Sequence, residues 1–135
     1  MKYAKLLKIF IAIILLWGIA IRIIFFLQNR DLIIDEANIA RNLYERGFAQ
    51  LALPLSYEQY APPVFLWIEK LLVLLFGYSE YALRLYPLLA GIASLFLFTL
   101  VIREIASLRS AWFPLFLMVV SYTFIRYSSE VKQYI

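Results

Sequence analysis

The sequence predicts an all-α integral membrane protein of three transmembrane helices and two juxtamembrane surface helices. Two observations carry that expectation. Of its 135 residues 64% are hydrophobic and only 16% charged, whereas a soluble domain averages roughly 45–50% apolar and about 25% charged. The apolar residues also gather into runs of helix length, separated by a single sizeable polar stretch over residues 28–61. Four Gly, five Pro and no Cys exclude collagen-like, disordered and disulfide-scaffold chains.

The first span is expected over residues 9–27, interrupted only by Arg22. About 19 residues make ~29 Å of helix, enough to cross a bilayer. A cleavable signal peptide is the rival, but the run exceeds a typical apolar core and lacks a small-x-small cleavage site. Lys2, Lys5 and Lys8 precede it and place the N-terminus in the cytoplasm. The next segment, 28–80, is then an extracytoplasmic loop. Within it residues 36–46 have helical periodicity, with Ala37, Ala40 and Tyr44 opposite Asn38, Arg41 and Glu45, and Gly47 as the stop.

Pro62 and Pro63 start a second surface helix over 63–76, since a proline in the first turn lacks only an amide that has no partner there. It contains Glu69 and Lys70 and ends at Gly77; at ~20 Å it is short for a span, though spanning remains the rival reading. Ser79 is a fitting N-cap for the second span, 81–102, with Glu80 in its first turn. Arg103 and Arg109 flank a short loop, consistent with a cytoplasmic return. Residues 111–126 form the third span, with Arg126 snorkelling outward.

No Cys and no His remove thiolate, imidazole and Ser-His-Asp chemistry from this stretch, and no metal-ligating cluster or cofactor motif is visible. The net charge of +4 comes from 13 Lys and Arg scattered singly, so membrane lipids, and no nucleic acid, are the expected anionic partners. Asp35 and Glu36 open the first surface helix. They read either as an N-cap and a first-turn acid, or as a general base at the membrane surface that takes a proton from an attacking hydroxyl. Arg22, Arg84 and Arg126 all fall toward the outer side. They either snorkel to phospholipid or bind an anionic lipid-linked ligand, because a guanidinium matches phosphate geometry. Lys132 and Tyr134 add a cation and a phenol beyond the third span.

In combination these segments resemble a family. Asp35-Glu36 followed by Ala40-Arg41 and Gly47 looks like the first extracytoplasmic loop of GT-C glycosyltransferases, nearest to family 39. That branch includes protein O-mannosyltransferases and lipid A aminoarabinose transferases. Ala61-Pro62-Pro63, Gly77-Tyr78-Ser79-Glu80 and Ala82-Leu83-Arg84-Leu85-Tyr86-Pro87 are similar to its Pro-Pro helix and its entry into the next span. Ser129-Glu130-Val131-Lys132-Gln133-Tyr134 looks like its Glu-x-Arg-x-Tyr segment, with Lys132 in place of Arg.

The resemblance implies an inverting transfer of sugar from a polyprenyl-phosphate carrier to a lipid, glycan or protein acceptor hydroxyl, outside the cell inner (cytoplasmic) membrane. It implies Asp35, with Glu36 beside it, as the base, and Arg84, Lys132, Arg126 and Tyr134 on the phosphate side. It also implies that these residues are the N-terminal part of a larger GT-C transmembrane domain and are inactive alone. A non-catalytic polytopic scaffold or transporter fragment, with Asp35 only a cap, is the alternative.

Overall fold

The computed structural model describes residues 2–107 and 110–132. Its helices are α1 (Lys2–Leu27), α2 (Ile34–Glu45), α3 (Pro63–Phe76), α4 (Glu80–Ile105), α5 (Trp112–Val120) and α6 (Tyr122–Tyr127), with a 3-10 turn at Gln50–Ala52. No strand occurs among the described residues. Both expected surface helices form, and their ends have local causes. Pro63 opens α3, and Gly77 closes it in the left-handed region at φ 87°, where a side chain would be strained. The Ser79 hydroxyl accepts from the Ala82 amide at 3.2 Å and caps α4.

Among the described residues two helices are long and apolar enough to cross a membrane, over Lys5–Leu27 and Glu80–Ile105. Only 22% and 28% of their most apolar windows are buried within the protein, far less than the core helix of a soluble bundle would bury. The chain thus has the character of a membrane protein. The third expected span differs. It is split at Ser121, which turns to ψ 114° between the nine-residue α5 and the six-residue α6. At 1.5 Å per residue α5 rises only ~14 Å. The sequence at the break, Val119-Val120-Ser121-Tyr122-Thr123, is β-branched, aromatic and hydroxyl-bearing, which are the residue types that gain least from a helix.

Two apolar clusters organise the chain. The first joins α1, α4 and α5 through Ile11, Ile14, Leu95, Leu115 and Val119. The close approach depends on Gly18, where a Cβ would lie 2.7 Å from Val119 and 3.1 Å from Leu95. One turn further along, Arg22 is fully buried and donates Nη1 to the Gly18 carbonyl at 3.0 Å. It therefore does not snorkel to the headgroups. The second cluster joins α2, α3 and the start of α4 through Ile39, Leu43, Leu66, Val73 and Leu83, and reaches Val131 after α6. Gly91 in α4 lets this last segment close, since a Cβ there would stand 2.6 Å from the Ser128 Cβ.

Candidate active site

Helix α2 begins with Ile33 at its N-cap, a residue with no side-chain oxygen to offer. The cap residue's own amide is served from within: Glu36, three residues on, reaches back to accept from the Ile33 N–H at 3.1 Å. Asp35 is thus not the cap. Neighbours on a helix point about 100° apart, and here that separates two environments. Glu36 turns inward and is fully buried, while the Asp35 side chain remains 48% exposed.

The Glu36 carboxylate is the hub of a buried ionic network. It accepts from Arg30 at 3.0 and 3.2 Å and from the Val131 amide, 95 residues away, at 2.8 Å. Arg84 Nη2 lies 3.6 Å from it. Arg84 itself is buried and donates to the carbonyls of Arg30 at 2.6 Å and Asp31 at 3.4 Å, tying the linker after α1 onto α4. Buried Glu130 pairs with Arg126 and lies 3.4 Å from Arg30. A buried charge is tolerated only when paired and hydrogen-bonded, and this network meets both conditions for the carboxylates.

Asp35 sits at the edge of the network. Its carboxylate accepts from the Lys132 ammonium at 2.6 Å. That hydrogen bond and charge hold the Asp35 carboxyl below its ordinary value, desolvation opposes them, and the nearby Gln59 amide adds a further lowering. Asp35 is consequently ionised at neutral pH. Lys132 and Arg126 line a cavity of about 300 Å³ together with Ile33, Tyr122, Tyr127 and Glu130. Arg30, Arg84 and Arg126 share the carboxylates of Glu36 and Glu130, and Lys132 pairs with Asp35 at the edge. The cavity wall that carries Arg126 and Lys132 is where an anion would be drawn.

The loop that follows α2 is folded back against it. Asn42 donates to the Ser56 carbonyl at 3.1 Å and accepts from the Ser56 amide at 3.0 Å, while Arg46 donates to Pro54 O at 2.8 Å. Tyr57 and Glu58 then both adopt left-handed backbone, at φ 63° and 53°. For residues of this size that conformation costs of order 1–3 kcal/mol each. The Tyr57 hydroxyl donates to Glu45 and Arg41 stacks over its ring, which helps to hold the turn. Immediately beyond it Gln59 is brought beside Asp35.

Helix α3 braces the other end of α2. Lys70 donates to the Leu43 carbonyl at 2.6 Å and to the Tyr78 hydroxyl at 2.8 Å, placing a cation at the negative end of α2. Its neighbour Glu69 is fully buried, and among the described residues neither carboxylate oxygen has a hydrogen-bond partner. Burial pushes this carboxyl up to about 9, so it is neutral at physiological pH.

Of the residues singled out in the sequence, the fold brings Asp35, Lys132 and Arg126 to one place. Glu36 and Arg84 lie behind them, committed to internal bonds and closed to solvent. Tyr134 lies outside the described residues, as does Arg109. Arg30, Gln59, Glu69 and Glu130 were not singled out. Glu130 stands inside the segment quoted for the resemblance, and Arg30 six residues before Glu36 was a charge awaiting a partner; Gln59 and Glu69 have no such local signal. No family model, no curated protein and no solved structure matches this chain.

Proposed function

We propose that this chain forms part of a membrane glycosyltransferase. It would move a sugar from a polyprenyl-phosphate carrier to an acceptor hydroxyl, at the outer face of the cytoplasmic membrane. The observation that carries the proposal is the placing of an ionised, half-exposed Asp35 against Lys132, at a cavity that Arg126 also lines. In the reaction the acceptor oxygen bonds to the anomeric carbon as the bond from that carbon to the phosphate oxygen breaks. The bonding pair leaves with the phosphate, the hydroxyl proton passes to Asp35, and the anomeric centre inverts. Charge grows on the departing phosphate, where Lys132 and Arg126 offset it. A phosphate that draws Lys132 away also leaves Asp35 a stronger base.

The tested variant is Asp35→Asn in the longest natural chain that carries these residues. Its transfer from a polyprenyl-phosphate sugar should fall by roughly 10²–10⁴-fold, while membrane insertion stays unchanged and the chain remains folded at the assay temperature. Retained turnover refutes the assignment. The second reading, a non-catalytic scaffold or transporter part, is favoured by one feature. The most heavily bonded acid here, Glu36, serves the fold alone. On that reading, function is indifferent to Asp35→Asn and responds to packing changes where Gly91 meets Ser128.

A further inference from the structure

Asp35 has two unlike sides. Its partner on one side, Lys132, lines the charged cavity. Its neighbour on the other, Gln59, lines a second, shallower groove of about 520 Å³ together with Leu53, Leu55, Tyr60, Pro62 and Pro63 among others, with no charged side chain. That size lies within the range of about 300–1,000 Å³ usual for small-molecule sites, which pair apolar and aromatic walls with a few placed polar groups. Tyr60 presents an 81% exposed ring in this groove. The consecutive left-handed residues Tyr57 and Glu58 set the direction of the chain that delivers both Gln59 and Tyr60. Strain of this kind in bulky residues persists only where surrounding contacts enforce it, and it clusters at ligand sites; here Asn42, Arg46 and Glu45 supply those contacts.

We infer that the groove between the turn at 57–58 and Pro63 is a subsite for an uncharged pyranose ring, stacked on Tyr60 with a hydroxyl held by Gln59 toward Asp35. The inference rests on the glycosyltransferase reading for its role as the acceptor side, and on the groove alone for the binding. Charge divides the two sides: a phosphate is drawn to Arg126 and Lys132, and nothing in the neutral groove competes for it. The Gln59 amide nitrogen is engaged by the Tyr57 carbonyl at 3.2 Å and by Asp35, which leaves its carbonyl oxygen to accept from a sugar hydroxyl. A flat aromatic face suits the apolar C–H face of a sugar ring.

The test is saturation-transfer NMR on the longest natural chain in lipid nanodiscs, with methyl glucopyranoside and octyl glucopyranoside as probes. Ring-proton signals are expected with both. Equal affinity marks a soluble glycan as the source of the ring, and tighter octyl binding marks a membrane glycolipid. Gln59→Ala and Tyr60→Ala should each weaken the ring signal at least fivefold, whereas Tyr60→Phe, which keeps the stacking face, and Arg126→Gln should retain it. Equal ring signals in all variants overturn the inference, as does a response confined to the octyl chain. Because the readout is binding, it stands apart from transfer: a turnover unaffected by Asp35→Asn sinks the catalytic reading and leaves the ring subsite to be judged on its own variants.

Discussion

Glu69 offers the sharpest physical test of the outer cluster. Its carboxyl is buried, has no hydrogen-bond partner among the described residues, shares the buried side of α3 with Phe65, Leu66 and Val73, and is raised from 4.5 to about 9. Below pH 4.5 both folded and unfolded chains hold the proton, and there is no penalty. Between 4.5 and about 9 the unfolded chain releases it while the folded chain retains it, so stability falls as pH rises and levels off only above the folded value. Each pH unit in that window is worth about 1.4 kcal/mol, so raising the pH from about 5 to about 8 destabilises the fold by at most about 4 kcal/mol through this group. Glu69→Gln keeps the shape and abolishes the titration. At roughly 4 °C per kcal/mol the wild type should lose up to about 16 °C of melting temperature across that range that the variant does not. Local relaxation and water penetration lower the measured figure, and about half is expected. The assay is thermal unfolding in micelles at several pH values, read by tryptophan fluorescence; Trp67 reports from the same helix. Parallel pH dependence in wild type and Glu69→Gln would refute the reasoning.

The adjacent acids of α2 should separate by phenotype. Glu36→Gln leaves Arg84 buried without its carboxylate and should cost roughly 3 kcal/mol, the low end for a broken buried pair, because Arg30 is 35% exposed. Denaturant titration of the variant checks this, and a melting curve like the wild type's refutes it. Gly91→Ala should destabilise by about 1–3 kcal/mol through overpacking, and Ser128→Gly in the same chain should recover most of it, since the Ser128 side chain supplies the closest contacts. Calorimetry on the single and double variants tests that coupling. Lys132 holds the Asp35 carboxyl down, so the pair adds stability above the ordinary carboxylate value and loses it as pH falls through the lowered one. In Lys132→Ala the Asp35 titration should move upward toward its ordinary value, followed by carbon NMR of the carboxyl; an unmoved titration contradicts the pairing.

Local chemistry made much of the helical order legible. The Pro63 start, the Gly77 stop and the Ser79 cap each depend on one residue's backbone or side-chain preference, and each appears where the sequence puts it. The apolar runs around Ile14 and Leu95 likewise announce α1 and α4 by length alone. The break at Ser121 was hidden because an apolar count does not register that β-branched and hydroxyl-bearing residues gain little from a helix.

The sequence by itself determined an all-helical chain with membrane-length apolar runs, an acidic pair opening a surface helix, and cations on either side of it; it put the spans at three, where the described residues hold two helices of that length. Beyond the resemblance, which favours Asp35, its spacing could not say which way Asp35 and Glu36 face, because both are acids in the same first turn and their difference is one of direction. Only the tertiary structure decided that. The return of the segment after α6, admitted by Gly91, brings the Val131 amide to Glu36 and the Lys132 ammonium to Asp35 from more than 90 residues away. Burial then commits one carboxylate to the fold and leaves the other ionised at the surface.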